Sequence, residues 1–258
     1  GCNLSYVSHR ILEGKPQLEG LPATFADEET ATTLELTCVD NHIGMKVLLY
    51  YTAFCDTDVI TRSVKIINEG TQAFYLTKVL SACLDMDNQD YEMISLHGSW
   101  ARERHIQRKK VGYGIQKVSS FRGESSHQDH PFLALVSPST TQEMGEVYAM
   151  NFVYSGNFQA QAEVSQFDSI RMSMGIHPEN FCWKLERGES FQAPEVVMVY
   201  SSQGLDGMTT AFHHLYKRHL IRGEYKDKKR PILINNWEAT YFNFTTEKLL
   251  SIAKEASG

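Results

Sequence analysis

Hydrophobic and polar residues alternate along most of this chain, and the alternation predicts β-strands. The alternating segments are short, and turn signals such as Asn68-Glu69-Gly70 and Arg122-Gly123 separate them. The predicted strands cover residues 34–39, 45–51, 60–67, 132–136, 146–154, 159–164, 170–174, 181–185 and 195–200. Strands of this kind form antiparallel sheets with one dry face each, and two such faces bury each other. The pattern therefore predicts a large antiparallel β-sandwich.

The periodicity changes near the end of the chain. Apolar residues recur at helical spacing over residues 208–221, and a charged linker then leads to Pro231, which stops any preceding helix. The apolar run at residues 232–234 predicts a short strand, and residues 245–254 predict an amphipathic helix. One strand with one helix leaves two unpaired strand edges and no sheet to cover them. We therefore expect this to be the first βα unit of an incomplete barrel.

Three parts follow from these patterns. A β-sandwich covers residues 1–205, a linking helix and linker cover residues 206–230, and the truncated βα unit covers residues 231–258. The chain begins with Gly1 instead of methionine, so we expect a piece of a longer protein. Active sites of βα-barrels lie at the carboxyl ends of the strands, which is the place that Asn235-Asn236-Trp237-Glu238 occupies.

Composition narrows the function classes. The 258 residues are 42% hydrophobic and carry a net charge of −6, which provides no strong field to attract nucleic acid or an anionic membrane. The five cysteines are widely spaced and contain no C-x-x-C pair. They predict neither a zinc site nor a disulfide framework. Because most of them have apolar or β-prone neighbours, we expect small buried apolar residues in a reducing compartment.

Three polar clusters have ordinary structural explanations. The carboxylates Asp85, Asp87 and Asp90 are expected in a solvated turn. The basic stripe at residues 102–110 is expected to make surface ion pairs, because aromatic interleaving is poor and the chain is acidic. The histidines around residues 127–130 lack an evident third ligand, so we predict no metal site.

Six long segments of the chain resemble the family-36 glycoside hydrolases, the microbial α-galactosidases. They are "LHGSWARERH", "SSHQDHPF", "NFVYSGNF", "PEVVMVYSSQGLDGM", "LYKRHL" and "ILINNWEATYFNF". The match covers essentially the whole chain in one register. The resemblance implies most of an N-terminal β-supersandwich followed by the first strand and helix of a catalytic (β/α)8 barrel. It also implies that the SSHQDHPF loop lies at the seam between sandwich and barrel, and it supplies no metal or other cofactor.

The resemblance further implies retaining hydrolysis of terminal α-galactose, in sugars of the melibiose and raffinose type. Two aspartates on later barrel strands would be the nucleophile and the acid/base, about 5–5.5 Å apart. No position of this chain matches them, and we expect both to lie beyond Gly258. We therefore assign no catalytic residue here and expect the chain alone to be inactive. The resemblance also implies a cytoplasmic homo-oligomer, with a tetramer expected for the complete protein.

Two residues can be assigned to substrate binding through the resemblance, Trp100 and Trp237, which match tryptophans that line the galactose pocket. An indole offers a flat apolar platform to the C–H face of a sugar and one N–H donor. From the sequence alone, core packing is the competing explanation for each ring. Two alternatives stay open for the whole protein: a non-catalytic carbohydrate-binding β-sandwich, and an α-N-acetylgalactosaminidase.

Overall fold

The computed structural model describes residues 2–257, which divide into two compact units with the boundary between Leu220 and Ile221. Within these residues sixteen strands form, all in the first unit: β1 (Ser5–Glu13), β2 (Ala31–Asp40), β3 (Met45–Phe54), β4 (Val59–Asn68), β5 (Phe74–Leu76), β6 (Leu80–Asp87), β7 (Glu92–Ser99), β8 (Arg102–Lys110), β9 (Gly114–Ser120), β10 (Phe132–Val136), β11 (Val147–Val153), β12 (Phe158–Val164), β13 (Ser169–Ile176), β14 (Trp183–Leu185), β15 (Ser190–Gln192) and β16 (Glu195–Ser201). The long helix α1 (Gly204–His219) completes this unit. The second unit contains a 3₁₀ turn (Glu224–Lys226) and the helices α2 (Trp237–Thr240) and α3 (Thr246–Ser257).

Antiparallel pairing dominates the first unit. The large sheet has ten strands in the order β1-β2-β3-β4-β16-β11-β10-β7-β8, with β15 added on β4. A smaller sheet has the order β12-β13-β6, β14 pairs with β5, and β9 lies beside β12. The antiparallel sandwich that the alternation predicts is therefore confirmed. Among residues 2–257, no helix is both long enough and apolar enough to cross a membrane.

The central strands of the large sheet are buried on both faces. In β10, Leu133 and Leu135 pack in a core that includes Met172 of the smaller sheet. The alternate residue Ala134 packs on the opposite face, in a core shared with Phe212 of α1. All five residues of β10 are buried, which explains why the strand is a continuous apolar run. The large sheet is thus covered by the smaller sheet on one side and by α1 on the other.

Helix α1 begins four residues before the apolar periodicity predicts, because a loop supplies its first hydrogen-bond acceptors. The Gly204 N–H donates to the Gly145 carbonyl at 3.0 Å, and the Leu205 N–H donates to the Thr141 carbonyl at 3.1 Å. Gly204 has a φ of +64°, and a Cβ there would lie 2.5 Å from the Gln142 carbonyl oxygen. The helix start therefore depends on a tertiary contact that needs a glycine.

A buried ion pair ties the segment after β1 to the start of β16. Lys15 Nζ lies 2.9 Å from Glu195 Oε1, and the two side chains are 2% and 1% exposed. The ammonium has no well-aligned hydrogen bond, so the contact is mainly Coulombic. Thr24 satisfies the carboxylate further, since its N–H donates to Oε2 at 2.7 Å and its hydroxyl donates to the same oxygen at 3.0 Å.

The second unit departs from its predicted secondary structure. Residues 231–236 form no strand, and Ile232 and Leu233 are 76% and 89% exposed. A strand needs a neighbour for its backbone N–H and C=O groups, and residues 2–257 offer this segment none. The predicted helix is present as α3. No described residue of this unit is buried, so its apolar side chains have no core within the described chain.

Gly1 and Gly258, the first and last residues of the predicted parts, lie outside the described residues. The predicted sandwich begins at Gly1 and the predicted βα unit ends at Gly258, whereas the described residues run from 2 to 257. The described part of the βα unit therefore ends with α3, whose last residue is Ser257.

The predicted burial of the cysteines is wrong. Cys38 is half-buried, and Cys2, Cys55, Cys83 and Cys182 are exposed; all five are unbridged. In a strand, adjacent residues point to opposite faces, so apolar neighbours in sequence do not imply burial. Cys83 is an example, because it follows the fully buried Ala82 in β6.

The carboxylate cluster is also placed differently. Asp85 and Asp87 lie in β6 and not in a turn, and only Asp90 lies in the following loop. Arg171 of the neighbouring strand donates two hydrogen bonds to Asp85, at 2.6 and 2.8 Å. These two hydrogen bonds from the Arg171 guanidinium hold the pKa of the Asp85 carboxyl below its usual value. The pair is a cross-strand contact on the wet face of the sheet.

We expect Lys15→Ala to lower the free energy of unfolding of the first unit by about 3–5 kcal/mol, because it leaves the buried Glu195 carboxylate uncompensated. Urea denaturation followed by circular dichroism measures this. The matched control is Lys184→Ala, whose partner Glu186 is 53% exposed and whose loss should cost about 1 kcal/mol or less. Equal losses in the two variants would show that the buried pair is not a strong constraint.

Candidate functional site

Trp100 lies at the tip of the β7–β8 hairpin, and its ring is 79% exposed. The turn closes through Ala101, which has a φ of +58°. The register between the strands shifts between His97 and Ser99, so Gly98 forms an irregularity just before the tip. The explanation of this tryptophan as a core residue is therefore excluded. The ring projects into solvent from a defined turn.

The loop that precedes β10 pairs with the hairpin below its tip. The Gly98 N–H donates to the Gln128 carbonyl at 3.1 Å, and the His130 N–H donates to the Leu96 carbonyl at 3.0 Å. His97 and Asp129 form an antiparallel bridge between these two bonds. The loop thus acts as a further short strand beside β7. It orders the end of a hairpin whose strand β8 is exposed at every position.

A side-chain contact reinforces this pairing. His97 Nδ1 lies 2.7 Å from Asp129 Oδ1, and its Nε2 lies 2.7 Å from the Ser95 hydroxyl oxygen. With Nδ1–H donating to the carboxylate, Nε2 accepts the Ser95 proton, so both ring nitrogens are satisfied. The His97–Asp129 clamp therefore fixes the loop to the base of the turn that carries Trp100.

A polar cleft of about 740 Å³ lies beside the clamp. Its lining includes Arg104, Ser126, His127, His130 and Asn151. Burial, together with the positive charge of Arg104, lowers the pKa of His130, which favours a neutral imidazole at pH 7. Within residues 2–257, no group of three or more histidine, cysteine or acidic side chains could hold a metal ion.

Two residues of the basic stripe along β8, Arg108 and Lys110, make ion pairs, in keeping with its interpretation as a surface feature. Arg108 contacts Glu92 at 2.5 Å and also donates to the Thr140 carbonyl at 2.7 Å. Lys110 lies 3.4 Å from Asp90. These contacts connect the exposed edge strand to its neighbours.

Trp237 lies in the second unit, as the first residue of the one-turn helix α2. The Asn235 side-chain oxygen accepts the Trp237 N–H at 3.0 Å, and Asn236 Nδ2 donates to the Thr240 hydroxyl at 2.8 Å. The indole packs edge-on against Tyr241 and Phe242, with ring centroids 5.5 and 4.9 Å away. It is 46% exposed. Two asparagines therefore shape the turn, and two aromatic rings orient the indole.

Each predicted tryptophan is thus exposed within its own unit, but sequence reasoning missed the clamp that supports the first. The histidine and the aspartate both stand in the quoted motifs "LHGSWARERH" and "SSHQDHPF". Their pairing joins residues 32 positions apart. No local pattern signals such a contact, because it arises only when the loop folds against β7.

The catalytic pair is a different case, since the sequence assigns it to no residue of this chain. The nucleophile and the acid/base are expected beyond Gly258, and Gly258 itself lies outside the described residues. Their position therefore stays a prediction.

Comparison with protein-family models gives two consecutive matches. The Glycosyl hydrolase family 36 N-terminal domain matches residues 1–186, and Melibiase matches residues 190–258. The chain is 52% identical over 256 residues to α-galactosidase AgaA of Geobacillus stearothermophilus, and 46% identical over 254 residues to α-galactosidase 1 of Pediococcus pentosaceus. These alignments cover 99% and 98% of this chain, but the chain spans only 35% of the length of either relative.

Solved structures agree with these matches. The crystal structure of AgaA from Geobacillus stearothermophilus superposes with a TM-score of 0.97, covering 99% of this chain and 36% of that one. A variant of the same enzyme in complex with raffinose gives a TM-score of 0.96 with the same coverage. The galactosidase domain of the α-galactosidase–sucrose kinase AgaSK, at 41% identity, gives 0.96, covering 99% of this chain and 36% of that one.

We expect Gly98→Ala to destabilise the hairpin tip. An added Cβ would lie 2.2 Å from the Arg102 carbonyl oxygen and 2.8 Å from Glu103 Cα, so the backbone must move. Overpacking of this kind costs about 1–3 kcal/mol. Faster hydrogen exchange at the amides of positions 98 and 130, with a lower melting temperature, would report it.

The control is Gly112→Ala, where no atom lies within 4 Å of the added Cβ. This variant should leave both measurements close to those of the parent chain. Unchanged exchange in Gly98→Ala would contradict the described pairing of the loop with β7.

Proposed function

Because the chain belongs to glycosyl hydrolase family 36, we propose that it forms the β-sandwich and the opening of the catalytic barrel of a retaining α-galactosidase. The observation that carries this proposal is the consecutive match of one chain to the family-36 N-terminal domain and to Melibiase. A free-standing carbohydrate-binding sandwich would have no use for the second segment. The relatives named α-galactosidase, at 52% and 46% identity, support the same activity for the complete protein.

The proposed substrates are α-galactosides of the melibiose and raffinose type. Solved structures of AgaA variants from Geobacillus stearothermophilus contain raffinose or stachyose, and they support this class. Retaining hydrolysis requires a nucleophilic carboxylate and an acid/base about 5–5.5 Å apart. We place both beyond Gly258, in a part of the complete protein outside this sequence, which spans about a third of its relatives. The 258 residues alone would then not cleave the sugar.

The proposed roles of Trp100 and Trp237 rest on their exposure and on the resemblance. Both rings are accessible, at 79% and 46%, and each is held on a short turn. An indole in such a place can stack on the C–H face of galactose while its N–H meets a hydroxyl. The asparagine-shaped turn at residue 237 positions its ring at little conformational cost, since Tyr241 and Phe242 already orient it.

Assembly and location stay predictions. A homo-oligomer, with a tetramer for the complete protein, would use the exposed edges that β1 and β8 leave on the large sheet. Five unbridged cysteines suit the reducing cytoplasm.

Enzyme assays test the main proposal. We expect the longer protein that contains this sequence to hydrolyse a chromogenic α-galactoside and not its β-anomer. The 258-residue chain should give no signal above the blank, because it would lack both carboxylates. Circular dichroism must first show that the short chain contains folded β-sheet. Hydrolysis by the short chain would place catalytic groups inside it, and inactivity of the longer protein would refute the proposed activity.

In the longer protein, Trp237→Ala and Trp100→Ala should each weaken galactose binding by about 1–3 kcal/mol, the range for stacking on an aromatic ring. Product inhibition by galactose measures this directly. Phe167→Ala is the control, because this ring is 83% exposed and has no assigned role. An inhibition constant that stays the same in a tryptophan variant would remove that residue from the site.

A further inference from the structure

The third tryptophan of the sequence, Trp183, also presents a fixed and accessible ring. It begins β14 and is 50% exposed. Phe191 of β15 backs it at a centroid distance of 5.3 Å, and Phe191 is in turn packed edge-on against Phe181 at 5.7 Å. Since Phe191 is only 8% exposed, the support of the indole belongs to the core of the sandwich. The buried ring of Phe191 therefore orients the exposed ring of Trp183.

Polar groups without partners in the described chain line the same cleft as this ring. Lys65 and Gln192 are direct cross-strand partners in the pairing of β4 with β15. Gln192 Nε2 donates to the Val64 and Ala193 carbonyls at 3.1 and 3.0 Å, which fixes the amide and leaves its Oε1 as an acceptor. Within residues 2–257, Lys65 Nζ and the Trp183 indole N–H have no hydrogen-bond or ion-pair partner. Donors and an acceptor are thus available without breaking existing bonds.

These groups share a cleft of about 410 Å³ on the first unit. Its lining includes Trp183, Lys65, Gln192, Ser190 and Glu19. The volume is in the range of small-ligand sites. One lysine and one glutamate offset each other's formal charge, so the cleft has no strong preference for an ion. An aromatic platform with hydroxyl-compatible donors and acceptors matches a neutral pyranose, which has an apolar C–H face and a polar rim.

We propose that this cleft is a second carbohydrate-binding site, which takes neutral galactosides by stacking a pyranose ring on Trp183. Lys65 and the indole N–H donate to sugar hydroxyls, and Gln192 Oε1 accepts from one. The site goes beyond the proposed function, because it needs no bond cleavage and uses residues that have no assigned role. It would hold an oligosaccharide or glycan on the sandwich by means of a ring other than those of Trp100 and Trp237.

Nuclear magnetic resonance on the 258-residue chain tests the site, because three tryptophans give three indole N–H signals. Substitution of each tryptophan by phenylalanine assigns the signals. We expect raffinose to shift the Trp183 signal saturably, whereas sorbitol, which has hydroxyls but no pyranose face, should not. Trp183→Ala should weaken the affinity measured by calorimetry about tenfold. Lys65→Ala, which leaves the ring in place, should weaken it severalfold.

The outcomes separate this site from the proposed enzymatic activity. A Trp183 signal that ignores raffinose, or that moves equally with sorbitol, overturns the second site and leaves the α-galactosidase assay untouched. Unchanged affinity in both Trp183→Ala and Lys65→Ala overturns it as well. A saturable Trp183 response that weakens in Lys65→Ala and is kept in the Phe167→Ala control, together with a lower calorimetric affinity in Trp183→Ala, supports it, whatever the hydrolysis assays show.

Discussion

Two-sided burial of the central strands is the constraint on which the rest of the first unit depends. Strand β10 places Leu133 and Leu135 against the smaller sheet, and Ala134 against α1. Because each face is sealed by a different element, a shift of one residue in register would exchange the two cores. The large sheet therefore has a single register at its centre. The exposed tryptophans of this unit lie outside its centre, Trp100 on the β7–β8 hairpin and Trp183 on the short strand β14.

The β7–β8 hairpin shows how a fixed base positions an exposed residue. Strand β7 pairs with β10, whereas every residue of β8 is exposed. Strand β7 pairs with β10 only as far as Ile94, so the end of the hairpin would fray without a further partner. The loop before β10 extends the pairing of β7 to Gly98, and the His97–Asp129 clamp adds a charge-assisted contact at 2.7 Å. The tip of the hairpin is thus ordered through β7, the strand that also pairs with β10 in the core.

The sequence predicts the parts of the fold that depend on local pattern. It fails where a contact with a distant part of the chain determines the structure. Alternation places most of the strands, and helical spacing finds α1 to within four residues. The strand predicted at residues 232–234 does not form, because strand formation needs a neighbouring edge. The cysteines were predicted buried from apolar neighbours, although alternation in a strand argues the opposite for Cys83. The assignment of Trp100 and Trp237 to substrate binding depends on a family resemblance, since no local sequence pattern distinguishes a ring that binds a ligand from a ring in the core.

The three tryptophans differ in the contacts that orient their rings. This difference determines the conformational free energy that each side chain would lose on binding a ligand. Trp183 and Trp237 have aromatic neighbours with ring centroids within 5.5 Å, so their orientation is established before any ligand arrives. Trp100 has no ring contact among residues 2–257 and is the most exposed of the three. Ordering a free side chain on binding costs about 0.5–1.5 kcal/mol, so stacking on Trp100 would return less free energy than stacking on the other two. The clamp beneath its turn would reduce the backbone part of that cost, so the His97–Asp129 contact would support the proposed binding as well as the fold.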